Sequence, residues 1–274
     1  MEETLTSSQA RELLGNMSPS SFKTRYVDTN IIRKVVTPGK KQGEYVREDV
    51  ERIAKELAPF KETKKPHKNT QKANEPFVDW IGADDVLTSL QLDYRLYGPE
   101  VFLSDLSYYA DRVKRNPHVA LAVYNSPKRE RILAYVSLLP LPEETILNIL
   151  KGIRHETTIK TEEVETYERK GGYTLLAESV AVDPEYSGQL NRLLNHLTEY
   201  WYELYPDRYI TKIYAQAESS KGDVLIQKLF FAPREDLAPN AYVLNMTRPG
   251  ASRFIRQFQE RIDNKRKSLA LQHD

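Results

Sequence analysis

Side chains able to grip nucleic acid gather near the start of this 274-residue chain. Ser20, Ser21, Lys23, Thr24 and Arg25 are followed by Arg33 and Lys34, then by Lys40 and Lys41. Hydroxyl, ammonium and guanidinium groups at this density bond phosphate oxygens and base edges in a DNA major groove. They do so usefully only if rigid elements hold them on one surface. Ala10, Leu13 and Leu14 fall three and four apart behind Thr6, Ser7 and Ser8, which predicts a short helix with a hydroxyl cap. Gly15 stops it; Ser18 then caps a second helix with Pro19 at its first position and Phe22 and Val27 facing inward. Val35-Val36 and Tyr45-Val46 predict two strands around a turn at 37–43 that carries Lys40 and Lys41 at its tip. A third helix, Glu48 to Leu57, is amphipathic through Val50, Ile53, Ala54 and Leu57. A three-helix protein-interaction module with a solvated basic face would use the same residues.

The order of helix, helix, basic hairpin and helix resembles the winged helix-turn-helix of the MerR and excisionase type. That resemblance implies double-stranded DNA as partner, a reader helix bearing Ser20, Ser21, Lys23, Thr24 and Arg25, and a wing with Lys40 and Lys41, with Arg33 and Lys34 nearby. One short reader helix touches few base pairs, so two copies on a repeated site, and hence a homodimer, are expected.

Composition frames the rest. The chain is nearly neutral at +1, yet residues 1–75 hold 15 Lys/Arg against 11 Asp/Glu while the remainder holds 25 against 28, so any nucleic acid belongs to the front. The segment 61–75, KETKKPHKNTQKANE, has no apolar periodicity and reads as a linker. There is no cysteine, which removes disulfides, thiolate metal sensing and cysteine nucleophiles and suits a reducing cytoplasm. His67, His118, His155, His196 and His273 are scattered without ligand spacing, so no metal is expected. No apolar run reaches the roughly twenty residues of a membrane helix and no secretory leader is apparent, so no membrane partner is expected.

From Phe77 the pattern alternates. Strands are predicted at 77–81, 119–124, 132–139, 173–182, 210–216 and 241–246, and helices at 84–97, 99–114, 143–151, 190–205 and 221–230. Tyr108, Tyr109, Tyr200, Tyr202 and Tyr205 would line a ligand groove or, more simply, the core. The tail from Ser252 has Phe254, Ile255, Phe258 and Ile262 on one helical face, suited to dimerisation or to packing on its own domain.

This order resembles the GNAT superfamily of acyl-CoA N-acyltransferases, and AESVAVDPEYSGQLNRLLNHL is similar to its strand-loop-helix that cradles the coenzyme A pyrophosphate. Val182, Pro184, Tyr186 and Gly188 stand where the motif wants them; IQKLFFAPREDL with AYVLNM resembles the terminal region. The resemblance implies acetyl-CoA at Val182, Ser187, Gly188, Gln189 and Leu190, held by backbone amides at a helix N-terminus. It also implies Glu178, four residues before Val182, as the base that deprotonates an amine. Three departures stand out. Ser187 replaces Arg or Gln, Leu190-Asn191-Arg192 lacks the later small residues, and Ile226 and Phe230 replace a proton-donating tyrosine and a glycine. A missing general acid costs about a hundredfold or more in rate.

The expectation is a mixed α+β chain: a winged helix-turn-helix at 1–59, a linker at 60–76, a mostly antiparallel GNAT-like sheet flanked by helices at 77–248, and a C-terminal helix at 249–274. The leading function is a cytoplasmic, DNA-binding transcriptional regulator whose degenerate GNAT-like domain senses a small molecule or acyl-CoA or serves assembly. An active acetyl-CoA-dependent N-acyltransferase addressed to DNA, and an excisionase-like recombination accessory factor, are the alternatives; whether the chain is an enzyme stays open at this point.

Overall fold

The computed structural model describes residues 3–14, 19–28, 30–36, 43–61, 76–98, 106–217 and 219–271. They form two compact units, residues 1–71 with 90–105 and residues 72–89 with 106–274, the division falling inside the helix Val86–Tyr97.

The smaller unit begins with β1 (Thr4–Leu5) and α1 (Ser7–Leu13). Thr6 caps α1 reciprocally: Gln9 N–H donates to Thr6 Oγ1 at 3.3 Å and Thr6 N–H to Gln9 Oε1 at 3.0 Å. Next come α2 (Pro19–Phe22), running straight into a wider π-turn (Lys23–Val27), then β2 (Lys34–Val35), β3 (Glu44–Val46) and α3 (Arg47–Lys61). The two expected strands pair antiparallel, and β1, too short to show a pattern in the sequence, adds to β3 on the far side. Phe22, Tyr26, Ile32, Val50 and Ile53 close a core with Leu5, Ala10 and Leu14, and Phe22 meets the edge of Tyr45 at 4.9 Å. Ala10, Leu14, Phe22, Val50 and Ile53 turn inward as the spacing predicts, whereas Leu13 is 41% exposed and Val27 and Ala54 are only partly buried. Gly15, Ser18 and the turn with Lys40 and Lys41 lie outside the described residues.

The larger unit is a seven-stranded sheet: β4 (Phe77–Trp80), β5 (Ala120–Tyr124), β6 (Ile132–Pro140), β7 (Gly171–Val182), β8 (Arg208–Gln216), β10 (Ala241–Asn245) and β9 (Ala232–Pro233), in that spatial order. Every pairing is antiparallel except β7 with β8. All nine residues of β6 are buried, as expected of a strand covered on both faces. Apart from α4 (Val86–Tyr97), which the division cuts, the helices are α5 (Leu106–Arg115), α6 (Glu143–Leu150), α7 (Gln189–Leu204), α8 (Ser220–Leu229) and α9 (Arg253–Ala270). Helix α7 lays Leu193 and Trp201 on Leu121, Val123, Val136, Leu138, Tyr173 and Leu175. The C-terminal helix α9 lies against α7 of its own chain, with Phe258 on that core and Arg261 bonded to Glu199 at 2.7 Å. Tyr200 is core rather than groove: its ring packs on Trp80, His118 and Trp201.

Two stability predictions follow from local geometry. Phe230 ends α8 in the left-handed conformation, φ 59°, ψ 45°, a position glycine adopts without the Cβ clash. With its side chain 59% exposed, little burial is at stake. Phe230→Gly should raise stability by about 0.5–1 kcal/mol, read as a higher urea midpoint at unchanged slope. His118 lies between Trp80 (edge-on, 5.0 Å) and Tyr200 (stacked, 5.1 Å), and its burial lowers its pKa below 6.5. The folded state therefore binds that proton more weakly than the unfolded chain, and the stability present above pH 6.5 is lost as pH falls through and below that value. Calorimetric melting at pH 7.5 and 5.5 should show a smaller drop in His118→Phe than in the parent.

Candidate active site

One parallel pair in an otherwise antiparallel sheet demands a crossover, and α7 supplies it between β7 and β8. The pairing runs from Gly171 with Arg208 to Ala177 with Ala215 and stops there. Beyond that rung β7 continues to Val182 against β6, while Gln216 of β8 pairs with Ala241 of β10. The two strands part between small side chains, Ala177 and Ala215. Ile226 of α8 packs over both from one face.

Just past that point β7 carries a bulge. Ser137 of β6 pairs with Ser179 and Leu138 with Ala177, leaving Glu178 as the extra residue. Leu138 and Ala177 belong to the α7 side, so Ser137 and Glu178 face the other way. There Ser137 Oγ donates to Glu178 Oε2 at 2.8 Å, and Arg112 of α5, with a side chain 3% exposed, is ion-paired to Glu178 Oε1. Arg112 also bonds the Tyr108 hydroxyl, which donates to the backbone carbonyl of Glu156 at 2.5 Å. Both oxygens of Glu178 are therefore engaged. Arg112 is legible in hindsight: it stands beside Val113 and three residues from Tyr109, on the stripe that α5 turns inward.

The same face carries a second polar group, one rung before the parting. Tyr214 pairs with Leu176 and is 1% exposed. Its hydroxyl donates to Glu143 Oε1 at 2.6 Å and receives Arg234 Nη1 at 3.4 Å, while Lys212 Nζ donates to the same Glu143 oxygen at 2.7 Å. Bonds from Lys212 and Tyr214 hold the Glu143 carboxyl below its ordinary range, and Glu143 opens α6, where the helix dipole favours a negative charge. Burial, then Glu143, raises the Tyr214 phenol above its usual value. None of these four residues stands out in the sequence, because Glu143 and Tyr214 meet from positions 71 apart.

The loop from β7 to α7 is held by its own ion pair. Asp183, buried, accepts from Glu185 N–H at 3.2 Å and from Arg131 at 2.6 Å, and Arg131 lies over the Tyr186 ring. Gly188 stands at the N-cap of α7 with no side chain capping the helix, and nothing within 4 Å of where its Cβ would be. Val182, Ser187, Gly188, Gln189 and Leu190 thus sit together around one helix N-terminus. Glu178 lies farther back, on the bulge.

In the smaller unit Lys23 and Lys34 are exposed, and Arg33 is bonded through its side chain to Asp49, at 2.9 and 3.2 Å. The side chains of Ser20, Ser21, Thr24 and Arg25 lie outside the described residues, as do Lys40 and Lys41 altogether. Among the described residues no group of three or more His, Asp or Glu is placed to hold a metal ion, and no helix is long and apolar enough to cross a membrane. A shallow open depression of about 390 Å³ lined by Val78, Arg192, Asn195, His196 and Glu199 involves neither the Glu178 and Tyr214 groups nor the loop from β7 to α7.

No protein-family model and no curated protein matches the chain. Solved structures do. The AtaT toxin bound to the C-terminus of the antitoxin AtaR and acetyl-CoA is similar at 14% identity, TM-score 0.39, over 63% of this chain and 94% of that one. NAA60 of Arabidopsis thaliana in complex with a bisubstrate analogue is similar at 14% identity, TM-score 0.37, over 62% and 95%. A candidate acetyltransferase from Pyrococcus horikoshii is similar at 13% identity, TM-score 0.36, over 62% of this chain; the match spans only 47% of that protein.

Removing one member of the buried pair should expose what the bulge costs. Arg112→Met should lower unfolding free energy by about 3–5 kcal/mol by leaving Glu178 uncompensated, and adding Glu178→Leu should recover much of it. Denaturant titration of both variants and Glu178→Leu alone closes that cycle.

Proposed function

We propose that the larger unit is an acyl-coenzyme A-dependent N-acyltransferase of GNAT type. The observation that carries this is the parting of β7 and β8 at Ala177 and Ala215, with the N-terminus of α7, which no side chain caps, just beyond the end of β7. A thioester fits where strands part between alanines, and a pyrophosphate fits free backbone amides next to a glycine. Support comes also from the strand order and from the spacing of Val182, Pro184, Tyr186 and Gly188. The loop lacks later small residues, yet no side chain caps the helix it leads into. This reading replaces the degenerate sensor as the better account of the site. Glu178 takes a positioning role in it, because Arg112 and Ser137 already hold its oxygens and the bulge with them.

Titration calorimetry with acetyl-CoA tests it. One-to-one binding and release of free thiol in the presence of amines are expected; no binding would sink the proposal. Gly188→Asp places a carboxylate at the α7 N-cap, so it should weaken acetyl-CoA binding tenfold or more while stabilising the helix by about 0.3–1 kcal/mol. Loss of affinity without loss of fold separates competition for the amides from unfolding.

For the smaller unit, the helix, helix, hairpin, helix order with Lys23 and Lys34 exposed favours double-stranded DNA as partner, in the manner of a winged helix-turn-helix. Arg33, tied to Asp49, orients the hairpin in this reading more than it contacts phosphate. Fluorescence anisotropy with a random-sequence duplex should show binding at low salt, and Lys23→Ala should reduce the logarithmic salt slope by about one. A slope unchanged by Lys23→Ala and Lys34→Ala would remove these residues from the interface.

A further inference from the structure

Aminolysis of a thioester ends with a thiolate that must take up a proton, so a transferase of this kind needs a donor where β7 and β8 part. From one face that point is covered by Ile226, which has no proton to give. On the other face Ser137 stands on β6 and Tyr108 on α5, neither of them on a strand that parts, and they bond Glu178, Arg112 and Glu156. Tyr242, beside Ala215 on β10, is a strand farther from β7 and directs its hydroxyl toward Asp223 at 3.5 Å. Tyr214 stands on β8 itself, next to Leu176 and one rung from the last.

Resting on the acyltransferase reading, we propose that Tyr214 is the catalytic acid that protonates the departing thiolate. The amine nitrogen bonds to the acyl carbon and the carbon–sulfur bond breaks. Sulfur keeps the electron pair and takes the Tyr214 proton, giving the free thiol. The attacking nitrogen sheds its extra proton to solvent, and solvent returns one to the phenolate. The surroundings suit both states of the ring oxygen. Rotation about its C–O bond turns the hydroxyl from Glu143 toward sulfur, and Arg234 Nη1, already at 3.4 Å, steadies the phenolate left behind. Burial and the Glu143 carboxylate keep the phenol protonated near neutral pH, so the proton is there to give; the thiolate is the weaker base, and Arg234 offsets the cost of the transfer by stabilising the phenolate.

The experiment compares the full chain with Tyr214→Phe and Tyr242→Phe, using acetyl-CoA with polylysine as amine and calorimetry of acetyl-CoA binding alongside. Tyr214→Phe should bind acetyl-CoA as the parent does and lose about a hundredfold in kcat at unchanged KM. Tyr242→Phe should stay close to the parent. With an acetyl thioester of thiophenol, whose more acidic thiol leaves without a proton, the Tyr214→Phe deficit in kcat/KM should largely vanish. That readout would not move if the hydroxyl only braced Glu143 and Arg234. Undiminished kcat in Tyr214→Phe, a loss equal for both thioesters, or a loss confined to Tyr242→Phe overturns the proposal while leaving the transferase reading intact. A parent that binds acetyl-CoA without turnover overturns catalysis by this site, Tyr214 included. A parent that does not bind it overturns the transferase reading and the proposal together.

Discussion

A single parallel pair governs the larger unit. Antiparallel neighbours can be joined by a tight turn, but β7 and β8 run the same way and need a connection that returns the chain to its starting end. Helix α7 is that connection, and its handed crossover decides which sheet face it covers. Once α7, with α9 against it, occupies that face, the other is left to α5 and α6, and the bulge at Glu178 points its carboxylate there. The crossover also places the α7 N-terminus beyond the C-terminal end of β7, where the strands have already separated. The parting of the strands, the helix end and the polar face are thus consequences of one strand direction.

The polar face has an energetic oddity. Arg112 with Glu178 removes charges from water, and buried ion pairs rarely stabilise a fold more than apolar side chains of the same shape would, while Glu143 with Lys212 keeps over a third of each side chain exposed. Hydrogen bonds from Ser137 and Tyr214 soften that cost without abolishing it. The opposite face is covered by aromatic and aliphatic packing around Trp201 and Tyr173, which supplies the stability more cheaply. Stability alone gives no reason to seat both groups within two residues of the point where the strands part. The proposed acyl transfer at that point would.

Much of this was legible in the sequence, and the failures have physical causes. Periodic elements are predicted to within a few residues: β6, β7, α7 and α8 fall where apolar spacing puts them, since a buried face must repeat with the element's own period. Phe230 stands where the resembled family has glycine, and its φ of 59° shows why glycine is wanted there. The short strands β1 and β9 carry too few residues to display any period. Site residues fared worse. Glu178 is identifiable from its distance to Val182, but its partners are not, because Ser137 and Arg112 reach it from 41 and 66 positions away. Tyr214 reads as one more strand tyrosine until Glu143 arrives from α6. Contacts between distant segments are set by topology, and local spacing carries no trace of them.

The substitutions around the parting of the strands are best read as one exchange. A proton donor on α8 would approach the thioester from the face that α7 and α8 share, yet Ile226 there is packed against Ala177 and Ala215 and belongs to a dry cluster. An apolar side chain in that seat excludes water from the space a thioester would fill, which strengthens any dipole directed into it from the opposite side. The opposite side is where Tyr214 stands, with Arg234 behind it. In the proposed transferase, a phenol on that side backed by Arg234 would meet the requirement that a donor on α8 would otherwise meet. In this light the departures at Ile226 and Phe230 cease to be signs of decay, and the site's competence rests on whether α7 still offers its amides to a pyrophosphate.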